Sequence, residues 1–309
     1  MNKKSVLTVK NLNKTYQKKG SNPVTAIENL NLNVQQGEIF GLLGPNGAGK
    51  TTFINILSGS VMKTSGFVEV WGFNLDKNPR QVRASIGIVA QDVNLDPFFT
   101  PESLLDLQAG LYGIKKKDRI TSKILNLVSL EKQAKSYARS LSGGMKRRLM
   151  VAKSLVHQPP IIILDEPTAG VDVELRQNLW KNVKTLNQEG VTIILTTHYL
   201  EEAEKMCDRI GILNKGNLVA LDTTQKLLEK IQIKKISIKV NNRVNINENK
   251  FKTLKIVSST NDEINLSYDK NELKIDQIIK LIEENGARIL DLSTDDGDLE
   301  DVFLSLTKS

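Results

Sequence analysis

The sequence predicts an α/β fold built around a parallel sheet, followed by a smaller α/β domain, and three observations carry the prediction. Residues 37–43 read as a short apolar strand that runs directly into Gly44-Pro45-Asn46-Gly47-Ala48-Gly49-Lys50-Thr51-Thr52, after which Phe53, Ile54, Ile56 and Leu57 recur at helical spacing. Residues 161–164 and 191–195 are apolar, β-branched runs without polar alternation, as expected of strands covered on both faces. Beyond about Leu221 the runs shorten and asparagines collect at 241, 242, 245, 247 and 249, which marks a change of domain.

In chain order, residues 6–9 and 30–34 are short apolar pieces bounded by Asn and Gly and predict β-structure. Residues 101–130 carry Leu104, Leu105, Leu107 and Leu111, then Ile120, Ile124, Leu125 and Val128, at helical spacing; a helical insertion over about 92–159 is expected. Residues 173–187 are helical in pattern and stop near Gly190. In the second domain, residues 234–240, 254–257 and 263–268 predict strands, 276–284 an amphipathic helix and 299–306 a closing helix. The expected division is a large α/β domain over 1–221 and an accessory α/β domain over 222–309.

A length of 309 residues suits one large and one small domain, and 39% hydrophobic with 25% charged residues describes an ordinary globular chain. The single Cys207 excludes an intramolecular disulfide framework and a multi-cysteine metal site. No apolar run approaches the roughly 20 residues a membrane-crossing helix needs, and Val6, Leu7 and Val9 are too short an apolar stretch for a signal peptide. A cytoplasmic location is expected. The formal charge of +8 admits nucleic acid, an anionic membrane surface or a lysine-rich surface. The basic clusters at 115–117 and 146–148 read as solvated faces, and aromatics at 5% without basic interleaving argue against direct nucleic-acid binding. His157, just before Pro159-Pro160, reads as a surface loop residue.

Gly44 to Thr51 fits G-x-x-x-x-G-K-[ST] between a strand and a helix, the setting in which the pattern cradles phosphates. Backbone N–H groups wrap the phosphates, Lys50 supplies fixed positive charge and the Thr51 hydroxyl suits Mg²⁺. Asp165 and Glu166 close a buried strand, where ligands gather in open α/β sheets. Asp165 suits Mg²⁺ and Glu166 suits orienting or deprotonating a water, unless the pair simply caps the next helix. His198, after the next buried strand, is either a phosphate ligand or a structural histidine. Gln91 is either an amide that reaches Mg²⁺ or the attacking water, or a polar strand end. Tyr16 either stacks on a base or covers the sheet edge. Ser142-Gly143-Gly144 at a helix start is a second phosphate-binding device, and one phosphate chain does not need two such devices from a single chain. This loop therefore reads as facing the nucleotide held by another copy.

In this order, Tyr16, Gly44 to Thr52, Gln91, Leu141-Ser142-Gly143-Gly144-Met145, residues 161–166, Ala169-Gly170-Val171-Asp172 and His198 closely resemble the ATP-binding subunits of ABC transporters, over residues 6 to about 221. The resemblance implies a P-loop ATPase core with an antiparallel β-subdomain and a helical subdomain, two copies of which close head to tail on two ATP molecules. It makes Tyr16 the adenine-stacking aromatic, Lys50 and the loop amides the phosphate cradle, and Thr51, Gln91 and Asp165 the Mg²⁺ shell. Glu166 becomes the catalytic base, His198 the γ-phosphate switch, Ser142 and Gly144 contacts to the partner's ATP, and Asp172 a cross-dimer residue. Met145, where many members have glutamine, the run Lys146-Arg147-Arg148-Leu149, the residues after His198 and the terminal Leu299-Glu300-Asp301-Val302-Phe303-Leu304 resemble the exporter branch of the YadG, DrrA and NodI kind. That branch pairs with ABC-2 type permeases, so the implied place of work is the cytoplasmic face of the inner (plasma) membrane. The competing classes are a soluble ATPase of this type acting on ribosomes or nucleic acid, and a regulatory module with weak hydrolysis. Fused cassettes and long coiled-coil insertions, which mark the first, are not in the sequence, and Glu166 with His198 speaks against the second.

Overall fold

The computed structural model describes residues 4–17, 20, 22–168, 173–231, 233–242, 253–295 and 297–307. The chain divides into two compact units, Met1–Thr223 and Thr224–Ser309.

In the first unit β1 (Ser5–Tyr16) pairs antiparallel with β2 (Val24–Gln35), Leu7 opposite Val34 and Val9 opposite Leu32. β3 (Ile39–Leu43) is buried along its whole length and turns through the glycine-rich loop into α1 (Lys50–Ser58). β4 (Ser65–Val70) and β5 (Phe73–Asn74) return to the first sheet, giving the order β2-β1-β4-β5. α2 (Pro79–Ala84) then leads into β6 (Ile86–Val89).

The insertion contains α3 (Pro101–Leu111), α4 (Thr121–Leu127) and α5 (Gly143–Leu155). α3 begins where the sequence supplies both a start signal and a stop for the preceding loop: Thr100 and Ser103 form a reciprocal capping box, and Pro101 occupies the first turn. β7 (Ile161–Asp165), α6 (Val173–Gln188), β8 (Thr192–Thr197), α7 (Leu200–Met206), β9 (Arg209–Asn214) and β10 (Asn217–Thr223) complete the unit.

The central six-stranded sheet has the order β10-β9-β3-β8-β7-β6 and is parallel except for the β9–β10 pair. Every residue of β3, β7 and β8 is buried, which is why these strands read as unbroken apolar runs. Leu43 pairs with Thr197, Asp165 with Thr196 and Val89 with Leu164, so Gly44, Glu166, His198 and Gln91 all leave the sheet along one edge. That shared edge is the carboxyl side of the parallel strands, where such sheets bind ligands. A core of Leu7, Leu30, Phe40, Leu42, Phe53, Ile56, Val68, Ile163 and Ile194 joins the first sheet, α1 and the central sheet. Each of these large side chains contributes about 1.5–3 kcal/mol by its burial.

The second unit holds α8 (Thr224–Glu229), β11 (Ile233–Val240), β12 (Lys255–Ser259), β13 (Glu263–Asp269), α9 (Ile275–Glu284), β14 (Ile289–Asp295) and α10 (Leu299–Thr307). Its antiparallel sheet runs β12-β13-β11-β14. Ile236, Ile238, Leu266 and Tyr268 pack with Ile278, Leu281 and Ile282 of α9 to form a core of its own. β14 lacks a sequence signal because Ile289, Leu290 and Leu292 break the two-residue alternation, and Leu290 is left exposed. Of the asparagine-rich stretch, 245, 247 and 249 lie outside the described residues.

Candidate active site

The glycine-rich loop takes its shape from two close approaches. A Cβ on Gly44 would stand 2.5 Å from the Leu213 carbonyl oxygen, and one on Gly49, at φ 108°, 2.5 Å from that of Ala26. Only glycine fits either place. Gly49 caps α1 without a side-chain hydrogen bond, so the first-turn N–H groups and the positive helix end stay available to an anion. Lys50 is buried beside them, its Nζ donating to the carbonyls of Gly44 at 2.6 Å and Pro45 at 3.1 Å. Burial pushes its pKa down, against the pull of Glu166 and Asp165. Pro45, Asn46, Gly47 and Thr51 are exposed, Thr52 is half-buried and Ala48 is buried.

Asp165 is 7% exposed and accepts a hydrogen bond on Oδ1 from Thr196 Oγ1 at 2.5 Å. Burial raises its pKa, while the Thr196 bond, Lys50 and Arg147 oppose that shift. Glu166 has left-handed backbone, φ 45°. Its Oε2 receives Gln91 Nε2 at 3.0 Å and lies 3.2 Å from His198 Nδ1. A carboxylate fixed between two groups in this way is oriented to accept a proton from a third. His198 also leans on the Tyr199 ring, with centroids 4.2 Å apart.

Ser142 is the N-cap of α5, and its Oγ accepts from Met145 N at 3.3 Å. Ser142 and Gly143 are exposed and Gly144 is half-buried. Among the described residues no hydrogen bond or ion pair joins these three to the glycine-rich loop, the acid pair or His198. Tyr16 ends β1 with 39% of its surface open and Lys14 Nζ 4.5 Å from its ring centre. Asp172, with Ala169, Gly170 and Val171, lies outside the described residues.

Two sequence expectations are corrected. The 146–148 cluster is not a solvated face, because Arg147 is 5% exposed and donates to the carbonyls of Ala90, Gln91, Asp165, Glu166 and Pro167. Its position on α5 shares a face with Met150, Val151 and Ser154, all buried, and that i, i+3, i+4, i+7 spacing was the available signal. His157 does lie in the turn after α5, but it is half-buried rather than on the surface; it stacks on Tyr112 at 3.8 Å and 3°, with Nε2 donating to the Ile86 carbonyl at 3.1 Å. Thr196, which holds Asp165, carried no sequence signal beyond its place at a strand end.

A phosphate cradle beside two acids on the carboxyl edge of a parallel sheet defines a P-loop nucleotide hydrolase. The family described as ABC transporter matches residues 27–169. The chain is 33% identical to the linearmycin resistance ATP-binding protein LnrL of Bacillus subtilis, covering 98% of each chain. It is 37% identical to the Nod factor export ATP-binding protein I of Ralstonia nicotianae, covering 72% of this chain and 68% of that one. Among solved structures, an ATP-binding subunit of an ABC transporter matches with TM-score 0.65 and 29% identity over 73% of this chain and 92% of the other. A dimeric ATP-binding cassette in a post-hydrolysis state with ADP and Pi matches with TM-score 0.63 and 28% identity over 71% and 98%. The chain belongs to the ATP-binding subunits of ABC transporters. It is an ATP-binding and ATP-hydrolysing subunit, and cassettes of this family dimerise and work with membrane permease components.

Proposed function

We propose that two copies of this chain close head to tail on two ATP molecules and drive a separate ABC-2 type permease in the export direction, from the cytoplasmic face of the inner membrane. The observation that carries the reading is Ser142: an exposed hydroxyl at a helix start with no described bond to its own chain's phosphate loop. The export direction draws on the names of the relatives, one a Nod factor exporter and one a linearmycin resistance protein. Among the described residues no helix is long and apolar enough to cross a membrane, which leaves the transport path to the partner.

In this reading the amides of residues 44–52 and Lys50 hold the phosphates, and Tyr16 stacks on the adenine. The oxygen donors of Thr51, Gln91 and Asp165 suit Mg²⁺: Asp165 keeps Oδ2 and Gln91 keeps Oε1 outside their described hydrogen bonds. Mg²⁺ at that position would offset charge developing on the phosphates. Glu166 orients the attacking water and takes its proton, while His198 steadies Glu166 and bonds the γ-phosphate. Ser142, Gly143 and Gly144 complete the partner's site, and Asp172 contacts across the dimer. The insertion after Gln91 is the coupling surface. Val93, Phe98, Leu107 and Leu111 on it are exposed, and a cavity of about 390 Å³ opens beside Asn94, Gln108 and Tyr112.

The test is Glu166→Gln in gel filtration with ATP and Mg²⁺. A stable ATP-bound dimer is expected; monomer alone under those conditions would overturn the head-to-tail reading.

A further inference from the structure

Every N–H of the Arg147 guanidinium is directed at a backbone carbonyl, and the five carbonyls belong to two separate loops. Nη1 donates to Ala90 at 2.9 Å and Gln91 at 2.6 Å, both at the end of β6. Nε donates to Pro167 at 2.9 Å, and Nη2 to Glu166 at 2.6 Å and Asp165 at 3.4 Å, all at the end of β7. A guanidinium carries five donors in a fixed plane, so this one is saturated. An ammonium is a point charge with three donors and does not span both loops.

The carbonyls it holds matter for two reasons. Gln91 and Glu166 are the residues whose side chains meet at 3.0 Å, so Arg147 fixes both backbones from which that contact is made. Glu166 also sits at φ 45°, a strained conformation for a non-glycine residue that persists only where its surroundings hold it. Its N–H is held by the Thr196 carbonyl at 3.0 Å and its C=O by Arg147 at 2.6 Å.

Arg147 rides on α5, whose cap is Ser142. Five residue steps along the helix place them about 7.5 Å apart along the axis, with no loop between. The segment that follows Gln91 is tied to the same region a second time: Ala138 N donates to Phe99 O at 2.8 Å and Arg139 N to Pro97 O at 3.1 Å. A displacement of α5 at Ser142 therefore moves Gln91 and Glu166 together.

We infer that Arg147 is the positioning residue through which a phosphate seated at Ser142 aligns Gln91 and Glu166 of the same chain, so that occupancy of one ATP site sets the competence of the other. This rests on the reading that Ser142 faces the partner's ATP. Arg147 touches no substrate and acts only through the two loops.

The experiment measures ATP turnover against ATP concentration for the full chain, for Arg147→Met and for Arg147→Lys, with monomer affinity for a fluorescent ATP analogue and Tm alongside. Arg147→Lys keeps the charge and covers the case in which Arg147→Met does not fold. The wild-type chain is expected to respond cooperatively to ATP. Both variants should lose the cooperativity and about 10²-fold in kcat, the scale of a misplaced catalytic geometry, with monomer affinity unchanged. Adding Ser142→Ala to Arg147→Met should cost little more than either change alone, because both interrupt one path. Multiplying losses, or a cooperative response that survives in both variants while activity falls with the folded fraction, would reduce Arg147 to a structural role. Failure of the wild-type chain to dimerise with ATP would instead sink the underlying reading, which the Glu166→Gln experiment tests separately.

Discussion

His198 Nδ1 lies 3.2 Å from Glu166 Oε2, the same oxygen that accepts from Gln91 Nε2 at 3.0 Å. The carboxylate is therefore gripped from two different strand ends, β6 and β8, while its own backbone leaves β7. Removing either grip frees the side chain to rotate without removing the carboxylate, the proposed base. His198→Ala is expected to lower kcat by about 10²-fold, the scale of a base held out of line, while the affinity of the monomer for ATP changes little. Steady-state turnover and equilibrium binding of a fluorescent analogue separate the two quantities.

Asp165 is buried and its carboxyl is raised above the usual range, so ionising it in the folded chain is unfavourable. For an acid shifted this way, the folded state binds its proton more tightly than the unfolded state. That advantage is present at low pH and is lost as pH rises through the folded pKa. At neutral pH the native carboxylate is a net cost, which Asp165→Asn removes. The variant should melt higher than the wild-type chain at pH 7 without nucleotide, the difference should shrink toward pH 4, and hydrolysis should collapse with the lost oxygen donor. A variant that melts lower at pH 7 would mean that the Thr196 bond outweighs burial.

His157 has its pKa depressed, by burial first, below the ordinary histidine value near 6.5. With Nε2–H on the Ile86 carbonyl, its buried Nδ1 has no hydrogen-bond partner among the described residues and stays unprotonated. The unfolded chain takes up that proton more readily, so the stabilisation is complete above pH 6.5 and declines as the pH falls below it. The Tm advantage of the wild-type chain over His157→Gln should be larger at pH 7.5 than at pH 5.5. An advantage that grows on acidification would contradict a neutral, stacked ring.

The parts of this molecule legible in the sequence are those whose chemistry is local. The turn at Gly44 to Thr51, the apolar run of β7 and the helix start at Ser142 each announce themselves through a few adjacent residues, and the structure has strand, loop and helix at those places. Arg147 and His157 are different. Their environments are made by residues 57 and 71 positions away, Ala90 and Ile86, and nothing adjacent to either residue records those neighbours. Charge alone assigned Arg147 to the surface, although its helical spacing with Met150, Val151 and Ser154 pointed inward. β14 was hidden for a related reason: as an edge strand it buries few of its side chains, so its pattern carries little alternation.

The claim at the centre of this account is that each ATP site takes Lys50 from one copy and Ser142 from the other. Lys50→Ala and Ser142→Arg chains should each be nearly inactive alone, because each homodimer has two damaged sites. Mixed together, they form heterodimers in which one site has both residues intact. With Glu166→Gln in both chains, the account predicts that the mixture retains one trapped ATP per heterodimer, while neither chain alone retains any. A mixture that traps no more ATP than the separate chains, with heterodimers demonstrably present, would show that Lys50 and Ser142 do not serve the same nucleotide from opposite copies.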